Sequence, residues 1–369
     1  MNSLSPTFLD ALKFSGRSVT TLKALGEYRG RQTLFKNQIP EVLKRLKENA
    51  VIESAISSNR IEGVEVSPRR AKDLLERERP PRDRPEQEVA GYRDALAHIH
   101  SGSAQAQNLS QVFSEEMPFT PHVVLQLHEM LYRYQAGQGG SWKWEDNVIQ
   151  ERQSDDSVTI RFEPVSAKKT PAAMEELSNA YREALREKIE PLILLPLVTL
   201  DFLCIHPFED GNGRVSRLLD LMLLYHHGYE VGRYIALERV IENSKETYYE
   251  ALVASSEGWH EKKHDVEPWL NYWWGVLIAA HKEFEMRIEG PADKEMNKEK
   301  RIRLAVTTFE RPFTISELDK MLPDISRDWI RKILRSLRDT GELRSEGVGR
   351  GARWHRGKQG GGMIGGRRC

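Results

Sequence analysis

Apolar residues recur at three- and four-residue spacing through most of the chain, whereas strand-like alternation is scarce. This pattern predicts a mainly α fold. It predicts helices over residues 39–56, 67–76, 86–100, 121–134, 172–187, 192–205, 214–225, 244–255 and 266–288.

One segment, residues 137–164, departs from the helical pattern. It combines aromatic and β-branched residues at 142–149 with a polar break at 153–156 and an apolar stretch at 158–162. This order is typical of two short strands joined by a polar turn. We therefore expect a β-hairpin that projects from a helical body.

The C-terminal part predicts a separate domain. Residues 290–300 have the composition of a linker. Helical patterns follow at 302–309 and 316–322, Ser326 is a candidate N-cap for a helix over 328–340, and residues 343–354 suggest a β-wing. Helix, helix, helix and wing is the order of a winged helix. The predicted organisation is a helical N-terminal region (1–110), a core (111–289), the linker (290–300), a winged-helix domain (301–357) and a disordered tail (358–369).

The charge distribution makes nucleic acid a candidate partner of that domain. Lys and Arg equal Asp and Glu at 55 each, but residues 298–369 hold 18 basic against 9 acidic residues. Such an imbalance on a folded module is typical of DNA binding, although a protein-docking or dimerisation module remains the alternative. Eight of these basic residues lie on the predicted DNA-binding elements: Arg331, Lys332, Arg335 and Arg338 on the third helix and Arg344, Arg350, Arg353 and Arg356 in the wing.

The cysteine content and the apolar runs limit which further classes of protein are expected. Cys204 and Cys369 are the only cysteines, so a disulfide framework or a cysteine zinc cluster is not expected. No apolar run is long enough for a membrane helix, and residues 1–10 lack the pattern of a signal peptide. We expect a cytoplasmic protein without a membrane partner.

The chemistry is concentrated in residues 206–217, between two predicted helices. Gly211, Asn212 and Gly213 open the second helix, where small residues let backbone N–H groups point towards an anion. Arg214 and Arg217 are three residues apart and share a helix face, so both are candidates to bind phosphate oxygens. Each residue alone also fits a structural cap or turn, but this combination is not needed for a turn.

Two further side chains of this loop complete a candidate active site. Asp210 lies beside the glycines and is a candidate ligand for the Mg²⁺ that accompanies a nucleoside triphosphate. His206, at the other end of the loop, is a candidate general base for a hydroxyl nucleophile.

Residues 206–217 resemble the signature of the Fic family, His-x-Phe-x-(Asp/Glu)-Gly-Asn-Gly-Arg-x-x-Arg, at every specified position. The resemblance extends over about residues 26–288. It implies a protein adenylyltransferase in which His206 deprotonates a Tyr, Thr or Ser hydroxyl of a target protein, which then attacks the α-phosphate of Mg-ATP. It further implies that Asp210 binds Mg²⁺, that residues 211–213 and both arginines hold the phosphates, and that Phe208 anchors the loop. The target includes the protein itself as a candidate, and homodimers are common in the family.

A shorter motif upstream resembles the inhibitory motif of the same family, (Ser/Thr)-x-x-x-Glu-(Gly/Asn). Ser58, Glu62 and Gly63 occupy its specified positions. The resemblance implies that Glu62 pairs with Arg217 and opposes productive ATP binding; the alternative is a helix that merely ends at Gly63. In some relatives this glutamate also assists removal of AMP, so a reverse activity stays open.

The resemblance assigns two more regions and leaves two rival functions. The hairpin would be a flap that docks the target along Asn147, Val148 and Ile149. Tyr248, Tyr249 and Ser256 would lie at the adenine pocket, although some relatives have Asn where Ser256 aligns. One rival is a Fic transferase with another nucleotide donor or a phosphate-transfer reaction. The other is a transcriptional regulator whose core only senses nucleotide.

Overall fold

The protein is mainly helical with small β-elements. The computed structural model describes residues 2–36, 40–75, 79–101, 118–135, 139–152, 158–288, 298–299, 302–303, 305–306, 309, 311–322, 325–347 and 352–356. These residues form two compact units, Met1–Glu285 and Met286–Cys369. The predicted turn at 153–156, the boundary at 110, the linker at 290–297 and the tail at 358–369 lie outside the described residues.

The first unit contains nearly all of the helices. They are α1 (Pro6–Ala11), α2 (Gly16–Lys36), α3 (Pro40–Ile61), α4 (Pro68–Leu75), α5 (Arg84–Ser101), α6 (Pro121–Leu131), α7 (Thr170–Arg186), α8 (Pro191–Ile205), α9 (Asn212–His226), α10 (Leu237–Glu242), α11 (Lys245–Ser256) and α12 (Glu267–Ile288), the last of which crosses the unit boundary. Each helix predicted within residues 39–288 is present in the structure, with at least one of its ends shifted. The periodicity misses α1, α2 and α10, because two are very short and α2 is polar and contains several glycines.

The core centres on α8, which is apolar on every side and therefore packs as an internal helix. Pro196 lies within it and cannot donate the hydrogen bond that the Leu192 carbonyl would otherwise accept. Two indole N–H groups from α12 satisfy this region: Trp274 donates to the Leu192 carbonyl at 2.7 Å, and Trp269 donates to the Pro196 carbonyl at 2.8 Å. α12 thereby holds α8, and α8 ends directly at His206.

The predicted hairpin is present, but its first strand is shorter than expected. β1 (Ile149–Arg152) pairs antiparallel with β2 (Val158–Phe162), and the second strand has its predicted bounds. Of the residues 142–149 that carry the strand-like pattern, Ile149 lies in β1 and the others precede it. The Trp142 ring stacks on Phe208, and the backbone N–H of Lys143 donates to the Pro207 carbonyl instead of to another strand.

In the second unit, β3 (Phe313–Thr314), α13 (Ile315–Met321), α14 (Arg327–Asp339), β4 (Leu343–Glu346) and β5 (Arg353–Arg356) follow one another. The strands form an antiparallel sheet in the order β3-β5-β4. Ser326 caps α14 as predicted, and Thr314 with Glu317 forms a capping box on α13. An apolar core that includes Phe313, Leu334 and Trp354 joins helices and sheet. β3 is an addition to the predicted order.

In the part of the chain that the structure describes, none of the helices has both the length and the apolar character required to cross a membrane.

Candidate active site

The loop that carries the predicted chemistry joins α8 to α9. His206 is the C-cap of α8 and has a left-handed backbone conformation, with φ 51° and ψ 62°. Gly211 is the N-cap of α9 and is also left-handed, with φ 86°. This conformation is uncommon for a residue with a Cβ, so the contacts around His206 must hold it in place.

Contacts around Phe208 close the loop. The Asn212 side chain accepts a hydrogen bond from the Phe208 N–H at 2.9 Å and donates to the Phe208 carbonyl at 2.8 Å. The Phe208 ring is fully buried and stacks on His128 with ring centroids 3.7 Å apart. The side chain of Asn212 therefore shapes the loop, and only its backbone N–H remains available for a ligand.

The first turn of α9 is suited to bind an anion. The first N–H groups of a helix have no partner within the helix, and Gly211 brings no side chain to cap them. The helix dipole adds partial positive charge at the same place. A Cβ at Gly213 would overlap the Glu62 carboxylate, so glycine is required for this close approach.

Arg217 is held by the end of α3. Its Nε donates to the Ser58 hydroxyl and its Nη2 to the Ser58 carbonyl, both at 2.9 Å, and Nη2 also forms an ion pair with Glu62 Oε1 at 2.8 Å. Arg217 is only 2% exposed. Burial would lower its pKa, but Glu62 and the nearby tyrosines outweigh burial and raise it, so Arg217 stays charged. Three predicted residues, Ser58, Glu62 and Arg217, thus lie together.

Arg214 is bound inside the protein. It is 1% exposed and pairs with Glu88, donates to the Tyr132 hydroxyl at 2.9 Å and lies 3.2 Å from Asp210 Oδ1. It also reaches the Asn59 side chain at 3.4 Å. Its expected contact with phosphate stays a prediction, because these partners already engage most of its donors.

The Asp210 carboxylate is suited to be one ligand of a metal ion, but the described residues around it do not form a complete metal site. It is half exposed and pairs with Arg84 and Arg214. Burial would raise its pKa, but Arg214, Tyr132 and the Gly211 N–H outweigh that effect and lower it, so the group is ionised near neutral pH. Among the described residues, no cluster of three His, Cys, Asp or Glu side chains is placed to hold a metal ion. A Mg²⁺ bound here would need phosphate oxygens as further ligands, which is its usual coordination in nucleotide sites.

His206 has the properties of a neutral base. Its Nδ1 lies 3.3 Å from the Leu203 carbonyl, which favours the tautomer with the proton on Nδ1 and a free Nε2. Burial lowers the pKa of His206 to about 4; Lys143 acts in the same direction, whereas Glu62 and Asp210 oppose it. The imidazole is therefore uncharged at neutral pH.

The residues expected at an adenine pocket are only partly exposed to a ligand. Tyr248 is buried and lines a cavity with Arg217, Trp269 and Trp273. The Tyr249 hydroxyl lies 3.5 Å from the Ile61 carbonyl at the end of α3. Ser256 is buried and donates to the Val253 carbonyl at 3.1 Å. The adenine assignment stays a prediction.

The flap residues separate into two groups. Val148 is 43% exposed, and Ile149 begins β1. Asn147 instead donates to the Phe208 carbonyl at 3.1 Å and accepts from the Lys143 ammonium group at 2.7 Å. The sequence also left Lys143, Glu88, Tyr132 and Arg84 unassigned. No local motif contains them, and only the fold brings them to the loop.

Residues 118–224 match the Fic/DOC family. This stretch contains the hairpin, all of α8, the His206 loop and most of α9. The match therefore covers the part of the chain in which the His206 loop lies.

Solved Fic structures have a similar fold. A Fic family protein from Desulfovibrio desulfuricans G20 aligns with a TM-score of 0.60 and 20% identity over 95% of this chain and 98% of that chain. A Fic domain containing signaling protein from Bacteroides thetaiotaomicron VPI-5482 aligns with a TM-score of 0.57 and 24% identity over 73% of this chain and 96% of that one. Fic-1 (residues 134–508) from C. elegans aligns at 0.56 and 18%, over 72% and 71%. At these identities the likeness is one of fold.

Proposed function

We propose that this protein transfers AMP from Mg-ATP to a Tyr, Thr or Ser hydroxyl of a protein and that Glu62 restrains the reaction. Fic domain proteins are known for transferring nucleotide-derived groups onto proteins. The observation that carries the proposal is the 2.8 Å ion pair between Glu62 and Arg217, formed beside the N-terminus of α9. In this pair the carboxylate of Glu62, an anion of the protein itself, lies at a helix end that is suited to bind an anion.

The proposed reaction uses His206 as the base. Its neutral imidazole takes the proton of the target hydroxyl, and the oxygen forms a bond to the α-phosphorus. The bond from that phosphorus to the bridging oxygen breaks, and pyrophosphate leaves with the electron pair. Mg²⁺ bound by Asp210 and the phosphates would neutralise charge on the leaving group. The N–H groups at the start of α9 and Arg217 would bind the phosphates.

The proposed restraint is electrostatic. In the described arrangement Glu62 occupies Arg217 and places a negative charge beside the N–H groups of α9. A triphosphate that entered would lose an arginine contact and would approach a carboxylate. The lost arginine contact and the repulsion by the carboxylate are together worth roughly 2–4 kcal/mol, which corresponds to about 30- to 1000-fold in rate.

The test is to incubate the Glu62→Gly variant with Mg-ATP, alone and with cell lysate, and to measure intact mass and peptide spectra. We expect AMP adducts to form about 30- to 1000-fold faster than with the unchanged protein. A Glu65→Gly variant is the matched control, because Glu65 is exposed and lies on the same segment. A Glu62→Gly,His206→Ala double variant should give no adduct.

The donor is tested in the same experiment by replacing ATP with UTP, GTP or CTP. An adduct formed only with another nucleotide would keep the transfer mechanism and reject AMP as the group. Release of AMP from a labelled protein by the unchanged enzyme would reveal the reverse activity. Equal labelling by the Glu62→Gly and unchanged proteins would reject the restraint, and no adduct with any donor would reject the transferase.

For the second unit we propose a winged helix that binds DNA through α14. Two supporting observations are the order of helices and strands, and a basic face on α14. Arg331 and Arg338 pair with acidic neighbours, whereas Lys332 and Arg335 are exposed and have no acidic partner among the described residues. The Lys332 ammonium group lies 4.3 Å from the centre of the Trp329 ring, which does not neutralise its charge. Exposed cations without a carboxylate partner on such a helix are available for phosphates.

A fluorescence-anisotropy titration with duplex DNA at several salt concentrations tests this role. Replacing Lys332 and Arg335 by Ala should weaken binding and make the slope of log affinity against log salt shallower by about 1 for each lost phosphate contact. Lys168→Ala, an exposed lysine of the first unit, is the control. Binding that is absent, or that does not change with salt, would favour the protein-docking alternative.

A further inference from the structure

A short segment before the hairpin, residues 143–147, lies beside the His206 loop and forms a series of hydrogen bonds with it. The backbone N–H of Lys143 donates to the Pro207 carbonyl at 2.9 Å, and the Asn147 side chain donates to the Phe208 carbonyl at 3.1 Å. The N–H groups of Trp144 and Glu145 donate to Glu209 Oε1 at 3.1 and 3.3 Å. The segment therefore fixes consecutive residues of the loop.

Lys143 holds the loop on both sides of His206. Its ammonium group donates to the Ile205 carbonyl at 3.2 Å, and its backbone N–H donates to the Pro207 carbonyl. His206 lies between these two carbonyl groups and has a left-handed backbone conformation. We propose that Lys143 is a positioning residue that fixes His206 in the geometry of a general base; this inference rests on the proposed transferase function.

The burial of Lys143 supports a specific role. The residue is only 3% exposed, and its ammonium group has two neutral oxygen partners, the Asn147 side chain and the Ile205 carbonyl, with no ion pair among the described residues. Burying an amine without a carboxylate partner is costly. Burial lowers the pKa of Lys143 to about 8, against the opposite influence of Asp146 and Glu209.

The position of the ammonium group also explains why a cation is useful. The Ile205 carbonyl is at the C-terminal end of α8, where the helix dipole is negative and a cation is stabilising. The same positive charge disfavours protonation of His206, while Glu62 and Asp210 favour it. Lys143 thus orders the backbone at His206 and keeps the imidazole able to accept a proton.

The experiment compares Lys143→Met and Lys143→Arg in the Glu62→Gly protein. Methionine keeps the unbranched stem of the side chain and removes the charge and the donors of the ammonium group, whereas arginine keeps a charge and donors. Lys168→Met is the matched control on an exposed lysine. The measurements are the rate of AMP labelling, the apparent KM for ATP, thermal unfolding, and an NMR pH titration of the His206 imidazole, assigned with His206→Ala.

We expect Lys143→Met to lower the maximal labelling rate by about 10- to 100-fold, because a displaced base loses much of its effect. The apparent KM for ATP should change by less than about threefold, since the hydrogen bonds of Lys143 within the described part of the chain go to Asn147, Ile205 and Pro207 and not to α9. The His206 pKa should rise in Lys143→Met and return towards its original value in Lys143→Arg, with rate recovered in part.

The titration separates this inference from the proposed function. If the Glu62→Gly protein labels nothing, the transferase fails, yet the shift of the His206 pKa still tests the position of Lys143. A folded Lys143→Met variant with an unchanged labelling rate, or with an unchanged His206 titration, would overturn the inference. A rate loss that Lys143→Arg does not relieve, together with lowered thermal stability in both variants, would reduce Lys143 to a structural contact.

Discussion

At the scale of single residues, the chemistry proposed for the loop depends on which of its side chains are ionised. Arg217 remains charged beside Glu62, Asp210 remains a carboxylate, and His206 remains neutral. These states suit a site that binds a triphosphate and removes a proton. Burial and neighbouring groups move each pKa away from its ordinary value: burial lowers the pKa of His206, Glu62 raises that of Arg217, and Arg214 lowers that of Asp210.

The low pKa of His206 leads to a prediction about pH. Free histidine titrates near 6.5, but burial lowers the pKa of His206 to about 4. Protonation removes the base, so labelling by the Glu62→Gly protein should stay nearly constant from pH 7 to pH 5.5 and fall only as pH approaches the His206 pKa. Removing Glu62 also removes a charge that favours protonation, which moves the fall further to the acid side.

Initial labelling rates at constant ionic strength, with saturating Mg-ATP, provide the measurement. A second reading of the His206 pKa by NMR on the same variant controls for acid unfolding. An acidic limb near pH 6.5 would contradict the burial of His206 or its role as the base.

At the scale of elements, the site consists of helix ends. The last turn of α3 supplies Ser58, and Glu62 directly follows the end of that helix. The end of α8 supplies His206, and the start of α9 supplies the N–H groups. Helix ends are where backbone groups lack partners, which is why the proposed anion site and its proposed inhibitor both lie there. The conformation of Gly211 sets the direction in which α9 begins.

Replacing Gly211 by Ala should disturb this start. Its φ is 86°, and a Cβ would lie 3.0 Å from the Tyr132 ring and 3.1 Å from Leu131. We expect a loss of about 1–3 kcal/mol in the free energy of unfolding, from backbone strain and overlap together. Gly63→Ala is the control, because Gly63 has a φ of 80° and open space around it, so only the strain should appear.

Urea denaturation followed by circular dichroism gives both free energies. A loss for Gly211→Ala no larger than that for Gly63→Ala would mean that α9 can shift to accept the Cβ, and would remove the steric argument.

At the scale of the whole molecule, the chain divides into two units with separate cores. The transferase chemistry proposed above lies within Met1–Glu285, while the basic α14 belongs to Met286–Cys369. Among the described residues, the hydrogen bonds of His206 with Leu203 and of Arg217 with Ser58 and Glu62 lie within the first unit. A unit with its own core can fold without its neighbour.

A chain ending at Ile288 is therefore expected to keep the reaction. In the Glu62→Gly background, its labelling rate should stay within about twofold of the full chain, whereas DNA binding should be lost. Labelling rate, DNA anisotropy and thermal unfolding of both proteins give the comparison. Loss of labelling by a folded truncated protein would show that the second unit takes part in catalysis.

Periodicity predicted much of the helical fold, and the reasons for its failures are physical. α8 was visible because its apolar residues are continuous, and α14 because its apolar face and Ser326 cap are local features. α2 was missed because its polar, glycine-containing sequence becomes helical through packing, which local propensity does not contain. The residues 142–147 resembled a strand, yet their backbone groups bond to the loop.

By itself, the sequence determined which groups are available: a histidine at the end of an apolar helix, a glycine-rich helix start, and a glutamate that follows a serine at one-turn spacing. These features are local, so helix geometry alone sets their arrangement. Tertiary structure decided which groups meet. It paired Glu62 with Arg217, enclosed Arg214 among Glu88 and Tyr132, and placed Lys143 against both neighbours of His206. Contacts and pKa values of this kind depend on burial and distance between remote segments, which only the folded chain defines.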